Sequence, residues 1–363
     1  MQNGMNVEDL VLNYDPELPQ VRFLAAGAAI SAKLSERLPA MVPWPKAAKP
    51  VPVPLHPLPL ETDDLTRFKG YDAVVVTWTS AEAAALASLL TPEYLPSQWY
   101  EYRHNVAAYL PLVSGSMSPF LDASTEMARY YHSLGLYFPC RIGSARVLLF
   151  KSGLHLDYDG PKTPVRQLMA EIAQAVAPKV FITTGTGGGI GKDVSLGDVL
   201  IAPQVRFDCV TQFRNDPWHN RSYTASPLTP GVLAAISPDL TIVNASRITG
   251  ARNTPKIWAS GNDALVTTDF FGFDDSTDHY QLQGNGARVC DMGDAMVADA
   301  LSAFPAIKWY AIRNASDPQI PNPSGDIEAA KVEAGQIYTK YGAFTTAASV
   351  IATWAVIDRS FNH

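Results

Sequence analysis

The chain has 363 residues, of which 47% are hydrophobic and 17% are charged, and its formal net charge at pH 7 is -7. This is the composition of a globular protein with enough apolar material for a large core. The acidic balance argues against non-specific binding to DNA or RNA, because neutralising phosphates requires clustered Lys and Arg. We therefore expect no nucleic acid partner.

The cysteines and the early apolar segments indicate the compartment. Cys140, Cys209 and Cys290 are too few and too far apart for a disulfide framework or a zinc site, so we expect buried thiols in a reducing compartment. The longest early apolar run, from Phe23 to Ile30, is too short for a membrane span of about 20 residues, and acidic residues before it do not fit a secretion signal. A cytoplasmic protein that contacts no membrane is predicted.

The first 70 residues are interpreted as an N-terminal extension. The segment from Pro16 to Leu38 has a helical composition and predicts an accessory helix. From Pro39 to Pro59 prolines recur at short intervals, which removes backbone donors and fixes φ, so neither a helix nor a central strand is expected there. We predict a linker at this point, an extension over residues 1–70 and a catalytic domain over residues 71–363.

From Tyr71 onward, runs rich in β-branched residues alternate with Ala- and Leu-rich helical stretches. This pattern predicts a single α/β domain with a central mixed, mainly parallel, twisted sheet flanked by helices. In chain order, we predict strand 73–76, helix 81–90, an insertion over 91–140 with some helix near 124–133, strand 145–150, helix 164–176, strands 180–183, 198–202 and 256–259, helix 293–303, strand 308–312 and helix 342–358.

The most distinctive segment is Thr183-Thr184-Gly185-Thr186-Gly187-Gly188-Gly189-Ile190-Gly191, directly after a predicted strand. Such a run predicts a turn whose backbone N–H groups can approach a ligand without interference from Cβ atoms. It is not a dinucleotide fingerprint, which needs glycine where Ile190 stands. It is not a P-loop either, which needs glycine at Thr186 and a hydroxyl residue at Asp193.

The glycine-rich run and the strand-like Leu196–Ala202 that follows it form one piece of a larger pattern, and three later segments accompany it. They are Ser260–Val266, Asp291–Ala298 and Ala311–Asp317. Together, in their order and spacing, the four pieces resemble the nucleoside phosphorylase/nucleosidase superfamily, with its patterns serine-glycine-aspartate-x-phenylalanine, aspartate-methionine-glutamate-x-alanine and valine-x-arginine-x-x-serine-aspartate. The resemblance spans about residues 71–358 and is closer to the nucleosidase branch.

The resemblance implies an enzyme that cleaves the N-glycosidic bond of a purine nucleoside. Asp317 would be the general acid at the base, a task that suits a carboxyl whose pKa is raised in a cavity; a turn or cap residue is the alternative. Ser316 would orient that carboxylate or cap the turn. Glu82 would help to activate the attacking water, or would only favour the start of its helix through the helix dipole.

Further residues are implied to contact the substrate. Met292 would pack beneath the sugar, with a buried core methionine as the alternative. The substrate-binding positions implied by the resemblance are Thr186, Gly187, Gly188, Leu265, Val266, Met292, Gly293, Asp294 and Ser316.

Two departures from the superfamily pattern concern the substrate. Gly293 stands where the family has its ribose-binding glutamate, so either Asp294 substitutes, or the sugar is held differently, or activity on ordinary ribonucleosides is lost. Ala264 or Leu265 stands where the family has its base-stacking aromatic residue. Three nearby phenylalanines either compensate or anchor their own loop: Phe270, Phe271 and Phe273.

The nucleophile is predicted to be water. Related phosphorylases have an arginine where Thr183 stands here, and bidentate arginine is the usual ligand of a phosphate dianion. Arg206, Arg214 and Arg221 are either anion contacts or solvated surface residues. Phosphorolysis is the first alternative, with phosphate as co-substrate. A catalytically weakened nucleoside-binding or sensing module is the second.

No other cofactor and no metal are expected. The seven histidines lack the close pairing of a metal site. The partner is expected to be a small-molecule nucleoside, and the resemblance implies a homo-oligomer, either a dimer or a hexamer.

Overall fold

The computed structural model describes residues 42–112, 133–154, 163–236, 252, 254–270, 282–291 and 293–362. The predicted accessory helix between Pro16 and Leu38, the predicted helix near 124–133 and Met292 lie outside the described residues.

Thirteen strands and five α-helices make up the described fold. The strands are β1 Pro50–Pro52, β2 Ala73–Thr77, β3 Tyr100–Tyr102, β4 Gly135–Ile142, β5 Ala145–Ser152, β6 Val180–Gly189, β7 Val199–Ala202, β8 Gln204–Asp208, β9 Ser222–Thr224, β10 Ile257–Trp258, β11 Ala264–Thr268, β12 Ala287–Asp291 and β13 Lys308–Asp317. The helices are α1 Ser80–Leu90, α2 Val106–Tyr109, α3 Pro164–Val176, α4 Asp294–Leu301 and α5 Ile327–Phe361.

The described strands form one mixed sheet, as predicted. Its longest path runs β1-β4-β5-β2-β6-β12-β11-β8-β9, while β13 pairs with β6 and β7, β10 with β7, and β3 with β4. Parallel pairing joins β5, β2, β6 and β13, and joins β8, β11 and β12. Strand β6 is central, because it pairs with β2, β13 and β12.

Helices cover both faces of this sheet. In β2, Val74 and Val76 pack into a core that includes α3 and α4, whereas Ala73 and Val75 pack into a core that includes α1 and α5. Successive strand residues point to opposite faces, so a strand covered on both sides becomes apolar throughout. This explains why the run from Ala73 to Val76 contains no polar residue.

Most predicted elements are confirmed, with α1 and α3 within one residue of their predicted bounds. Strands β6 and β13 are longer than predicted and end at Gly189 and Asp317. The predicted helix 342–358 lies in the second half of the longer helix α5. The prediction of an insertion over 91–140 is wrong where β3 and β4 enter the sheet. Their aromatic residues, such as Tyr137 and Phe138, are buried in both cores, which hides any surface periodicity.

The proline-rich segment packs on the domain from residue 42 onward, so the predicted linker is wrong there. Strand β1 pairs with β4 at the edge of the sheet, where proline is tolerated because the outer side needs no donor. Val42 and Ala48 are buried, and the indole Nε1 of Trp354 donates to the carbonyl of Ala48 at 2.8 Å. The domain boundary at residues 70/71 stays a prediction.

The glycine-rich run is a strand rather than the predicted turn. Strand β6 extends through the run to Gly189, because β13 pairs with β6 as far as Gly188 and β12 pairs with Gly188 and Gly189. A Cβ atom on Gly185 would overlap the carboxylate of Glu82, and one on Gly187 would lie 2.5 Å from Val289 Cγ1 and 2.7 Å from the carbonyl oxygen of Cys290. Glycine is needed here for the close approach of neighbouring groups.

Gly187→Ala is therefore expected to lower the free energy of unfolding by about 1–3 kcal/mol, the usual cost of forcing atoms into a packed site. Urea unfolding followed by circular dichroism measures it. Gly261→Ala is the matched control, because no heavy atom lies within 4 Å of the added Cβ at that position. Equal stabilities for the two variants would show that β6 can shift to make room.

All three cysteines are buried, as predicted: Cys140, Cys209 and Cys290. Across the described ranges, no helix is both long enough and apolar enough to cross a membrane.

Candidate active site

Asp317 lies at the end of β13 beside the glycine-rich strand. A register shift between Ala315 and Asp317 places Asp317 opposite Gly188. Its residue is 5% exposed, and the Ser316 hydroxyl lies 2.8 Å from its Oδ1 and 3.3 Å from the carbonyl oxygen of Gly187. Its Oδ2 has no hydrogen-bond partner among the described residues.

Burial raises the pKa of Asp317 to about 7, although the hydrogen bond from Ser316 acts in the opposite direction. A carboxyl with this pKa carries a proton in a large fraction of molecules at neutral pH. Since its Oδ2 has no hydrogen-bond partner among the described residues, that proton is not committed to any of them. The arrangement suits a general acid, because such groups work best with a pKa near the working pH.

Glu82, in the first turn of α1, is completely buried and accepts hydrogen bonds at both oxygens. Its Oε2 accepts from Thr77 Oγ1 at 2.6 Å and from the backbone N–H groups of Trp78 and Thr79, each at 2.8 Å. Its Oε1 accepts from the backbone N–H of Thr186 at 2.6 Å and from the Thr186 hydroxyl at 2.8 Å. Glu82 thus ties the start of α1 to the middle of β6.

The geometry does not favour Glu82 as the base that activates water. Burial raises its pKa, but the charge of Arg313 and the hydrogen bonds from Thr77, Thr186 and Thr79 outweigh burial and hold the pKa below its usual value. With Arg313 as a further donor at 3.2 Å, each oxygen accepts three hydrogen bonds. An anion saturated in this way is a weak proton acceptor, and the role of Glu82 in activating water stays a prediction.

Arg313 connects Glu82 to the start of α4. It lies in β13 and is 2% exposed. Its Nε and Nη2 donate to the two carboxylate oxygens of Asp294 at 2.8 and 2.7 Å, and its Nη1 donates to the carbonyl of Thr186 at 3.0 Å. Arg313 belongs to the segment Ala311–Asp317, and no role was predicted for it, although a charged residue inside an apolar strand is a signal of a buried ion pair.

Asp291 is a second buried residue for which no role was predicted. Its Oδ2 accepts from the backbone N–H groups of Gly293 and Asp294 at 3.1 and 2.8 Å, so it caps the start of α4. Its Oδ1 accepts from the Thr267 hydroxyl at 2.6 Å. Burial and the neighbouring charge of Asp294 raise the pKa of Asp291 to about 7, against the effect of Arg313.

Trp78 covers Gly293, the position of the missing family glutamate. A Cβ atom on Gly293 would lie 3.5 and 3.6 Å from Cζ2 and Cε2 of the Trp78 indole. The guanidinium of Arg313 lies 4.7 Å from the centroid of the same ring. The indole therefore packs against the side of Gly293 on which a side chain would project, and no sequence pattern predicted this contact.

The other predicted binding residues are distributed along β6 and β11. Thr186 is committed to Glu82 and Arg313, and Gly187 and Gly188 lie in β6 next to Ser316 and Asp317. Leu265 and Val266 are completely buried in β11. Asp294 is committed to Arg313. Their contact with a substrate stays a prediction.

The arginines considered as anion contacts are not assembled at Asp317. Arg206 donates to the carbonyl of Asn285 at 2.8 Å, and Arg221 lies 3.7 Å from the carboxylate of Asp299. Arg214 is exposed. Among the described residues, no group of three or more His, Cys, Asp and Glu side chains is arranged to hold a metal ion.

Residues 111–340 match the family model of the phosphorylase superfamily. The chain belongs to this superfamily. The superfamily resemblance drawn from the four segments is therefore confirmed, and so is the prediction of an enzyme of the nucleoside phosphorylase and nucleosidase class. No curated protein matches the chain in sequence.

Solved structures of similar fold include three bacterial proteins. One from Francisella philomiragia, proposed to be a 5′-methylthioadenosine/S-adenosylhomocysteine nucleosidase, is 12% identical with a TM-score of 0.50, covering 79% of this chain and 99% of its own. The 5′-methylthioadenosine/S-adenosylhomocysteine nucleosidase from Neisseria meningitidis is 14% identical with a TM-score of 0.49. The match covers 80% of this chain and 99% of that protein. Futalosine hydrolase of Helicobacter pylori is 12% identical with a TM-score of 0.47, covering 79% and 97%. The first of these likenesses supports the predicted fold.

Proposed function

We propose that this phosphorylase superfamily member hydrolyses the N-glycosidic bond of a purine nucleoside, with Asp317 as the general acid at the base. The observation that carries the proposal is the Asp317 carboxyl: it is buried beside β6, its Oδ2 has no partner in the part of the chain that the structure describes, and its pKa is raised to about 7. A purine is taken from the family resemblance, because a purine ring nitrogen can accept this proton.

The reaction follows from that geometry. As the C1′–N bond breaks, its electron pair goes to the base, and the proton of Asp317 neutralises the developing negative charge on the base nitrogen. The sugar acquires oxocarbenium character and is captured by water at C1′. Water loses one proton in this step, which restores the Asp317 carboxyl directly or through solvent. Ser316 donates to Oδ1, so Oδ2 is the oxygen left to carry the proton.

Water is favoured over phosphate by the charges around Arg313. This buried guanidinium is already bound through two nitrogens to Asp294 and through a third to Glu82. With Asp291 also 3.5 Å from Nη2, three carboxyl groups surround one cation. A phosphate dianion entering this region would meet excess negative charge and no uncommitted arginine, whereas neutral water meets no such repulsion.

The test is base release from a panel of purine nucleosides over a series of phosphate concentrations. We expect free base and free sugar at a rate that does not depend on phosphate. Release only with phosphate, with sugar 1-phosphate as product, would establish phosphorolysis instead. Tight nucleoside binding without base release would favour a binding or sensing module.

The resemblance is also the basis for proposing a cytoplasmic homo-oligomer, either a dimer or a hexamer. Sedimentation velocity of the purified protein distinguishes these two assemblies from a monomer.

A further inference from the structure

Trp78 and Gly293 together form one wall beside the buried guanidinium of Arg313. The indole edge lies at van der Waals distance from the position of a Cβ on Gly293. Both residues are fixed through their backbones, since the N–H of Trp78 donates to Glu82 and the N–H of Gly293 donates to Asp291. A side chain longer than alanine at position 293 would have to extend past the indole.

This wall offers a donor and an apolar edge but no uncommitted carboxylate. Both oxygens of Asp294 are bound by Arg313, and Asp291 and Glu82 are committed to backbone and hydroxyl donors. Trp78 is 2% exposed, and its indole Nε1 has no hydrogen-bond partner among the described residues. An unpaired buried donor is unfavourable unless a ligand supplies an acceptor.

Gly293 places the wall on the sugar side of the proposed site, because the superfamily resemblance puts its ribose-binding glutamate at this position. Glu82, which accepts from the N–H of Trp78, also binds Thr186 in β6, the strand whose Gly188 lies opposite Asp317. With a base at Asp317, the sugar is therefore expected to face Gly293 and Trp78.

We propose that Trp78 over Gly293 makes this site selective for 2′-deoxyribonucleosides over ribonucleosides, an inference that rests on the proposed hydrolysis. The hydroxyls of a buried ribose diol need acceptors, which this wall does not provide. A deoxyribose instead places its C2′ methylene against the indole edge, while the indole N–H donates to a sugar oxygen. Many glycosidases use hydrogen bonds to the sugar 2-hydroxyl to assist bond cleavage. This site lacks acceptors for such bonds, and a deoxyribosyl group, which has no 2′-hydroxyl, does not need them.

The experiment compares kcat/KM for base release from 2′-deoxyadenosine with adenosine, and from 2′-deoxyinosine with inosine. We expect the deoxynucleoside of each pair to be preferred by about 10- to 100-fold, the range for discrimination against an added hydroxyl in a site without a partner for it. The double variant Trp78→Ala/Gly293→Glu opens the space and supplies an acceptor, so it is expected to bring the ratio to one or below. Trp78→Phe removes the N–H together with part of the ring and is expected to raise KM for deoxynucleosides.

Trp99→Phe is the matched control, because this buried tryptophan donates to the carbonyl of Tyr94, a residue of the α1–β3 connection, and the substrate ratio should not change. Base release with a wild-type ratio of one or below overturns the selectivity and leaves the hydrolysis standing. If no nucleoside is cleaved, the hydrolysis fails. Calorimetric binding of the same pairs then decides the selectivity: tighter binding of deoxynucleosides supports it, and equal or absent binding overturns it.

Discussion

Asp317→Asn is expected to lower kcat for base release by about 10²–10⁴-fold, the usual contribution of a positioned proton donor. The amide has the shape of the carboxyl and can still accept from Ser316, but it has no acidic proton to give to the leaving base. The loss should appear in kcat more than in KM, because the proton transfer occurs in the transition state. Base release measured by absorbance over a range of nucleoside concentrations separates the two constants.

A matched control is Asp299→Asn, a second buried aspartate, which lies in α4 and binds the Tyr223 hydroxyl at 2.6 Å and Arg166 at 2.5 Å. Its kcat should stay close to that of the unmodified enzyme. Asp317→Asn should also unfold no more easily than the unmodified enzyme, because it removes a buried ionisable group with an unpartnered oxygen. A folded Asp317→Asn variant with unchanged kcat would remove Asp317 from the mechanism.

Arg313→Met is expected to lower the free energy of unfolding by about 3–5 kcal/mol, the cost of removing one partner from a buried ion pair. Methionine fills much of the volume but leaves Asp294 without its two charge-assisted hydrogen bonds and Glu82 without its cation. Denaturant unfolding at neutral pH measures the change.

Arg146→Met tests the same substitution at an exposed pair. The Arg146 side chain is 51% exposed, and its Nε lies 3.7 Å from the carboxylate of Asp72, so we expect a loss of at most about 1 kcal/mol. If Arg313→Met were as mild as Arg146→Met, the carboxylates around Arg313 would have to be neutral in the folded enzyme.

The sequence allowed the fold class and the position of Asp317 beside the glycine-rich run to be predicted, because both depend on local patterns. The β-branched run of β2 and the Ala- and Leu-rich stretch after it specify a strand followed by a helix. The glycine-rich run misled us because its closest neighbours, Glu82 and Val289, are about 100 residues away along the chain. Only the pairing of β6 with β12 and β13 makes such a run extended.

The hydrogen bonds that occupy both carboxylate oxygens of Glu82 could not be predicted from the sequence either. A glutamate after a strand in this superfamily suggested a base, but its donors Thr186 and Arg313 lie 104 and 231 residues further along the chain. Gly293 alone suggested the loss of a sugar contact. In the structure, Trp78 lies at van der Waals distance from the position of a Cβ on Gly293, a contact that the sequence did not indicate.

The most direct test of the account is a ¹³C NMR titration of the aspartate carboxyl carbons in the free enzyme, with Asp317→Asn used to identify the Asp317 resonance. We predict a midpoint at about pH 7, so that the proton is present below that pH and kcat/KM falls as the pH rises through it. A midpoint near 3.8, the ordinary value for aspartate, would mean that no proton is held at neutral pH and would contradict the role of Asp317 as the acid.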